Sequence, residues 1–210
     1  MDSKRIINVP FSREQVSELK SGDYVYLTGT LYSARDAAHK RLFDSIVKAE
    51  DGIIQGDKSK GLDGKELFEQ GVLPLDITDN IFYYLGPTPA KEGQVIGSAG
   101  PTTSSRMDKY TPLLLSKGLT GMIGKGKRSK EVIDAIVENK AVYFAAVGGA
   151  GALLSKCIKK SEVIAYDDLG TEAIRRMEVE DFPVIVVIDS QGNNLYETAV
   201  EEYNSSKSTR

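Results

Sequence analysis

The segment 97–108 (GSAGPTTSSRMD) carries the side chains with the clearest chemical potential in this 210-residue chain. Two glycines and a proline predict a turn, and four consecutive hydroxyl residues then precede Arg106 and a predicted helix. Hydroxyl and free N–H groups at a helix start suit an anion, to which Arg106 adds a planar donor that matches carboxylate or phosphate. An ordinary helix cap beside a surface arginine is the simpler interpretation, and the segment alone does not decide between the two.

Two more cations follow predicted strands elsewhere in the chain. Arg35 lies between the predicted strand 24–31 and a predicted helix, and Lys125 stands between two glycines after the predicted strand 119–123. Ligands commonly bind where strands of an open sheet give way to helices. Four residues could therefore converge on a small dianion such as a dicarboxylate: Arg35, Thr102, Arg106 and Lys125. Taken singly, Arg35 and Lys125 are more simply explained as solvated surface charges.

Composition limits the kinds of function that this chain can have. The net charge of −3 comes from mixed charges, so no broad basic face for nucleic acid is indicated. The single cysteine, Cys157, and the single histidine, His39, cannot together supply a metal or cluster site with three or four such ligands. Cys157 is expected to pack in a helix, and His39 is expected to have a helix-surface or capping role. The N-terminus carries no apolar signal region, which favours a cytoplasmic protein.

Apolar and β-branched runs predict strands, and a helical period predicts the elements between them. The predicted strands cover residues 5–11, 24–31, 81–85, 94–98, 119–123, 141–147, 162–166 and 183–189. Among the predicted helices, one begins after Ser12, one is expected over 108–117 with a late start because of Pro112, and one over 172–178. The alternation after residue 100 predicts an α/β sheet in one domain, 1–204, with a frayed tail at 205–210 and a partly ordered excursion at 50–74.

Two glycine loops match nucleotide-binding patterns only in part. Residues 121–127 have the G-x-x-x-x-G-K spacing, but Arg128 stands where a phosphate loop requires Ser or Thr for magnesium. In the loop 149–154, Leu154 occupies the third glycine position of a dinucleotide loop. Neither loop is therefore interpreted as a nucleotide site.

Several motifs in a fixed order carry a resemblance to a known family. They are YLTGT (26–30) with ARDAAHKR (34–41), YLGPTPA (84–90), GPTTSSRMD (100–108), IGKG (123–126) and YFAAVGGAGA (143–152). Over about residues 5–200 the chain resembles the β subunit of class I fumarate hydratase, within the iron–sulfur fumarase and tartrate dehydratase group. Ser104 and Ser105 depart from the Ala-Gly that is usual in single-chain members.

The resemblance implies a swivelling β/β/α three-layer fold and a partner α subunit in an (αβ)₂ hetero-oligomer. Three cysteines of that partner would hold a [4Fe–4S] cluster, whose open iron acts as a Lewis acid on the substrate. The reaction implied is the reversible hydration of fumarate to (S)-malate at a site shared by the two chains, and this chain itself would hold no metal.

The resemblance also implies roles for individual residues, carried over by motif. The substrate carboxylates would be bound by Arg35, Arg106 and Lys125. Thr102 would move the C3 proton, assisted by an acid from the partner. Supporting roles would fall to Asp36, His39 and Thr103. Two alternatives stay open: the β subunit of an L(+)-tartrate dehydratase, and a non-catalytic subunit that only orders its partner.

Overall fold

One sheet organises the chain in a computed structural model that describes residues 4–51, 61–146 and 151–199. Its strands are β1 (Ile6–Val9), β2 (Tyr24–Ser33), β3 (Ile81–Tyr83), β4 (Gly121–Gly124), β5 (Val142–Ala146), β6 (Ile158–Ala165) and β7 (Ile174–Ile188). The helices are α1 (Arg13–Ser17), α2 (Asp36–Glu50), α3 (Gly64–Glu69), α4 (Thr111–Ser116), α5 (Lys130–Glu138) and α6 (Gly151–Cys157). Two 3₁₀ turns complete the set, at Ser104–Met107 and Asp167–Glu172.

The sheet closes on itself to form a small barrel. Its strand order is β1-β2-β3-β4-β5-β7-β6, and an additional pairing joins β2 to β7. Strands β1 to β5 run parallel to one another, whereas β7 is antiparallel to β2, β5 and β6. The closed ring therefore consists of β2, β3, β4, β5 and β7, with β1 and β6 as its two outer strands.

Both faces of the ring strands β3, β4 and β5 are apolar, and their side chains alternate between two cores. In β3, Ile81 and Tyr83 pack in one core while Phe82 packs in the other. The core that contains Phe82 also holds the buried faces of α2, α4 and α5, so it lies outside the ring. The period-two pattern of a strand thus gives β3, β4 and β5 an apolar interior face and an apolar helix-covered face, whereas alternate residues of β2, such as Thr28 and Thr30, are only partly buried.

The mixed α/β class and most predicted strands are confirmed, but two predicted elements are wrong. Residues 172–178 were expected to be helical, yet they belong to the end of a 3₁₀ turn and the first part of β7. This part of β7 pairs with β2 on one side (Arg175↔Ser33, Glu178↔Thr30) and with β6 on the other. Two ladders of backbone hydrogen bonds override the local helical preference.

Residues 94–98 do not form the predicted strand. The amide of Gln94 donates to the carbonyl of Lys91 at 3.0 Å, which makes a turn. The amide of Ser98 then donates to Thr88 Oγ1 at 2.9 Å rather than to a neighbouring strand. The segment therefore folds against the loop that follows β3.

Other expectations are settled only in part. Pro112 lies in the first turn of α4, which agrees with the predicted late start of that helix. Among the described residues no helix is both long and apolar enough to cross a membrane. The three-layer swivelling arrangement and the domain bounds 1–204 stay predictions. The tail 205–210, part of the excursion 50–74, and residues 147–150 of the glycine loop lie outside the described residues.

Candidate active site

Three parallel ring strands end at one edge of the barrel. Strands β2, β3 and β4 are aligned through Ser33↔Tyr83 and Tyr83↔Ile123. The residues that follow them in the chain therefore emerge at this same edge. These are Arg35 after β2, Gly86 after β3 and Lys125 after β4.

The segment that carries Thr102 is held between the ends of β3 and β4 by backbone hydrogen bonds. The amide of Thr102 donates to the carbonyl of Tyr84 at 2.8 Å, and the amide of Lys125 donates to the carbonyl of Thr102 at 3.3 Å. The Ser104 amide donates in turn to the Lys125 carbonyl at 2.9 Å. Thr102 is half-buried and Lys125 is exposed, so the two residues lie side by side at the surface of this edge.

Arg35 precedes α2 as its N-cap residue, and its side chain is only 19% exposed. The guanidinium Nη2 lies 3.2 Å from Glu172 Oε1. A Cβ atom on Gly86 would lie 2.5 Å from Nη1, so the absence of a side chain there lets the guanidinium lie against this loop. The Arg35 Nε atom is buried and has no hydrogen-bond partner within the described ranges. The cation is therefore held in place with donors left over.

Asp36 connects Arg35 with Arg106. One carboxylate oxygen of Asp36 lies 3.6 Å from Arg35 Nε and the other lies 3.9 Å from Arg106 Nη1. Asp36, Arg106 and Glu172 line an open cleft of about 580 Å³. Arg35, Thr102 and Lys125 are not among the residues that line this cleft.

The structure thus brings the predicted residues together in two groups that share one edge. Side-chain contacts join Arg35, Asp36 and Arg106, and backbone pairing joins Thr102, Thr103 and Lys125. The loop after β3 links the groups, because Tyr84 accepts from Thr102 and Gly86 lies against Arg35.

Two of the cations at this edge, Arg106 and Lys125, are poorly neutralised. In the part of the chain that the structure describes, the Lys125 ammonium has neither a hydrogen-bond nor an ion-pair partner. Arg106 is 54% exposed, and among the described residues its one ion-pair contact is the long one with Asp36. Cations concentrated at one edge raise the local concentration of an anionic ligand, which is the chemistry that the sequence indicated.

His39 does not have the helix-surface or capping role that the sequence analysis expected. Its side chain is fully buried, with ring centroids 5.5 Å from Phe82 and 5.2 Å from Tyr84. Burial lowers the pKa of His39 to about 4, although a hydrogen bond with the Arg35 carbonyl opposes the shift. The neutral ring places Nδ1 2.9 Å from that carbonyl, so Nδ1 is the donor. His39 therefore supports the backbone of Arg35 from within the core.

The four hydroxyl residues do not lie together at the start of a regular α-helix, which the hypothesis of a helix-start anion site assumed. Ser104–Met107 is a single 3₁₀ turn, and Thr103 makes no side-chain cap. Ser104 is buried, and its hydroxyl lies 2.8 Å from that of Tyr143. A Cβ on Gly124 would clash with Ser104 Oγ, so this serine points inward against a glycine backbone.

A buried arginine that the sequence analysis did not single out underlies this edge. Arg128 Nε donates to Asp108 at 2.7 Å, and the amide of Ser129 donates to the other Asp108 oxygen at 2.8 Å. The guanidinium carbon lies 5.4 Å from the ring centre of Tyr84 and 5.0 Å from that of Tyr143. Arg128 thus ties the loop that carries Arg106 to the loop that carries Lys125. A charged residue in a glycine-rich basic run gives no signal of such burial.

Glu172 was also missed. One of its oxygens contacts Arg35, and the other accepts a hydrogen bond from the amide of Ala37 at 3.1 Å. The residue is remote in sequence from both partners, and only the pairing of β7 with β2 brings it near them. No local pattern could have indicated it.

A metal or cluster does not fit the described residues of this chain. They contain no group of three or more His, Cys, Asp or Glu side chains arranged to hold a metal ion. Cys157 Sγ faces the carbonyl oxygens of Leu153 and Asp181, at 3.8 and 3.7 Å, and burial raises the pKa of the thiol. His39 is enclosed in the core.

Comparison with known proteins gives consistent matches. The family model for the fumarase C-terminus matches residues 2–55 and 64–199. The chain is 37% identical over 191 residues to the anaerobic class I fumarate hydratase of Escherichia coli, covering 90% of this chain and 31% of that protein. Over 187 residues it is 37% identical to fumarate hydratase 2 of Leishmania major, covering 88% of this chain and 29% of that protein.

A relative of similar length is also found. The chain is 34% identical over 192 residues to a Methanocaldococcus jannaschii protein provisionally named L(+)-tartrate dehydratase subunit beta, covering 89% and 88% of the two chains. The chain therefore spans about a third of the fumarate hydratases that it matches and most of this archaeal relative.

Proposed function

Because the chain belongs to the fumarase C-terminus family, we propose that it is the β subunit of a two-chain hydro-lyase that interconverts fumarate and (S)-malate. The observation that carries this proposal is the presence of Arg35, Arg106 and Lys125 at the same barrel edge as Thr102, where the Lys125 amide donates to the Thr102 carbonyl. The relatives named fumarate hydratase support the reaction, and the relative of similar length named a β subunit supports the division into two chains.

Substrate binding is assigned to Arg35, Arg106 and Lys125. A guanidinium has five N–H donors, of which Glu172 engages Arg35 at Nη2, so further donors stay available for a carboxylate. Arg106 and Lys125 are exposed and provide two more positive charges for the second carboxylate. A dicarboxylate bound between these groups would replace water around Arg106 and Lys125 and would use the donors that Glu172 leaves open on Arg35.

The proton transfer is assigned to Thr102. In the dehydration direction, its alkoxide oxygen takes the proton from C3 of malate, the C2–C3 double bond forms, and the C2 hydroxyl leaves as water with a proton from an acid of the partner chain. In the hydration direction, water adds its oxygen to C2 and gives a proton to that partner group, while the Thr102 hydroxyl returns a proton to C3. A free threonine hydroxyl is a very weak base, so the neighbouring cations must stabilise its alkoxide.

The [4Fe–4S] cluster is part of the proposal only as a group of the partner α subunit. The described residues of this chain do not fit a cluster, since Cys157 and His39 are engaged elsewhere in the fold. The steps assigned above are therefore those of this chain's own side chains. The swivelling three-layer fold, the (αβ)₂ assembly and a cytoplasmic location belong to the same proposal.

The test is anaerobic fumarate hydration, followed by ultraviolet absorbance, with this chain alone and with its reconstituted iron–sulfur partner. Activity only in the mixture is the expected result. Activity from this chain alone would overturn the hypothesis of a two-chain enzyme. Inactivity of a stable complex with a verified cluster would overturn the assigned reaction and favour a non-catalytic assembly subunit.

A second candidate, L(+)-tartrate dehydratase, is favoured by the match to the archaeal relative along 88% of that protein's length. Replacing fumarate by L(+)-tartrate in the same assay separates the two. Faster turnover of tartrate than of fumarate or malate would assign the chain to the dehydratase.

A further inference from the structure

Glu172 lies at the candidate active site but takes no part in the mechanism proposed above. It is the last residue of the 3₁₀ turn Asp167–Glu172, just before β7 crosses β2. Its side chain is 24% exposed and lines the cleft with Asp36 and Arg106. A carboxylate at a site for a dianionic ligand is unfavourable unless it serves the cations there.

The two oxygens of Glu172 have different partners on one element. Oε1 lies 3.2 Å from Arg35 Nη2, and Oε2 accepts from the amide of Ala37 at 3.1 Å. Ala37 lies in the first turn of α2, whose free amides attract a negative charge. The Ala37 amide thus fixes Oε2 of the Glu172 carboxylate. The other oxygen, Oε1, then determines the position of the Arg35 guanidinium.

Among the described residues, the remaining surroundings of Arg35 do not fix the guanidinium by hydrogen bonds. Gly86 borders Nη1 without a side chain, and Asp36 lies 3.6 Å from Nε, which has no hydrogen-bond partner in this part of the chain. Without Glu172 the long side chain would regain several rotamers, and ordering it again would weaken substrate binding.

We infer that Glu172 is a positioning residue that orients the Arg35 guanidinium for the substrate carboxylate, an inference that rests on the proposed function. It acts on binding through Arg35 and does not touch the reacting atoms. Loss of its charge should therefore raise KM and leave kcat nearly unchanged, because Arg35 binds the substrate and the transition state alike.

A matched control comes from the same two segments. Asp168, in the same 3₁₀ turn as Glu172, makes a two-fold ion pair with Arg41 of α2 on the exposed surface. Asp168→Asn removes a contact between the same elements without affecting Arg35. If Glu172 only joined the 3₁₀ turn to α2, Asp168→Asn would have the same effect on KM as the loss of Glu172.

The experiment compares wild type, Glu172→Gln and Asp168→Asn in the reconstituted complex. For malate, Glu172→Gln should raise KM about tenfold with kcat within about twofold, and Asp168→Asn should match wild type. Glu172→Asp keeps the charge and should raise KM less than Glu172→Gln. It also provides the test if Glu172→Gln does not fold.

A second readout does not depend on turnover. Phenylglyoxal modifies arginine side chains, and peptide mass spectrometry of the full chain gives the rate at each arginine. Glu172→Gln should speed the modification of Arg35 several-fold and leave Arg41 unchanged, whereas Asp168→Asn should do the reverse. Unchanged reactivity of Arg35 in Glu172→Gln would overturn the inference, as would an unchanged KM for malate in an active complex. An inactive wild-type complex would count against the proposed function, and the reactivity of Arg35 would still decide on Glu172.

Discussion

Arg106 and Arg128 lie on neighbouring loops of one edge, and their surroundings are opposite. The side chain of Arg128 is 0% exposed, donates hydrogen bonds to Asp108 and Thr111, and lies over two tyrosine rings. Arg106 is 54% exposed, and the structure gives it one carboxylate contact at 3.9 Å. One guanidinium is saturated by the protein, and the other keeps most of its donors in water.

This difference distinguishes a cation that stabilises the fold beneath the site from one whose donors are available to a ligand. A buried charge is tolerated only when its donors are paired, so Arg128 is part of the fold. An exposed charge at a ring edge costs little to keep and gives little stability. The candidate site is thus a saturated polar layer beneath a set of unsaturated cations, and variants in the two layers should have different consequences.

The largest effect is expected in the buried layer. Arg128→Met should lower the free energy of unfolding by about 3–5 kcal/mol, because Asp108 would be left largely buried without its cation. Arg106→Met should change it by less than about 0.5 kcal/mol. Urea denaturation of the two variants measures both values, and equal losses would remove the distinction between the layers.

The next effect concerns turnover in the exposed layer. Thr102→Ala should lower kcat of the reconstituted complex by about two to three orders of magnitude while the complex still assembles, because a proton-transfer group is lost. Ser105→Ala removes a nearby exposed hydroxyl and serves as the control. Turnover of Thr102→Ala equal to that of the control would exclude the catalytic role.

His39 extends the comparison between buried and exposed groups, because it is buried like Arg128 but is neutral. Its pKa of about 4 in the folded chain lies below the ordinary value near 6.5, so the unfolded chain binds the extra proton first on acidification. Stability should therefore be fully present above pH 6.5 and fall toward pH 4, with a loss of about 2 kcal/mol between pH 7 and 5.

The measurement is urea denaturation at both pH values for wild type and His39→Gln, in which this part of the pH dependence should disappear. Direct titration of the imidazole by NMR in wild type gives the same answer if the variant does not fold. A titration near pH 6.5 in the folded chain would contradict the burial argument.

The smallest of these effects is expected at Lys125. Lys125→Met should raise KM for malate about tenfold, near 1.4 kcal/mol, with the free energy of unfolding unchanged within about 0.5 kcal/mol. Lys127→Met, an exposed lysine on the same loop, is the control. A loss of stability without a change of KM would place Lys125 in the structural layer instead.

Local patterns in the sequence predicted what depends on near neighbours. Apolar, aromatic and β-branched runs identified β2, β3 and β5, and the ends of the predicted strands indicated where Arg35 and Lys125 would emerge. The family relationship was evident from motifs, which short segments carry intact.

What the sequence did not reveal depends on distant pairing. The helix expected over 172–178 is a strand because β2 and β6 flank it, and Glu172 reaches Arg35 only through that pairing. His39 fits the polar spacing of a helix surface, yet the sheet residues Phe82 and Tyr84 enclose it. Arg128 is buried because an aspartate and two tyrosines from other segments surround it.

The pairing of β2 with β7 also has a consequence for how the chain is made. Its register joins Tyr24 of β2 to Ile185 of β7, so β2 leaves the ribosome long before β7 has been synthesised. During synthesis one side of β2 stays an open edge, where a nascent chain can pair with the wrong strand. Contacts of such long sequence separation also form slowly. The ring can close only when β7 has emerged from the ribosome, which makes completion of the barrel one of the last steps of folding.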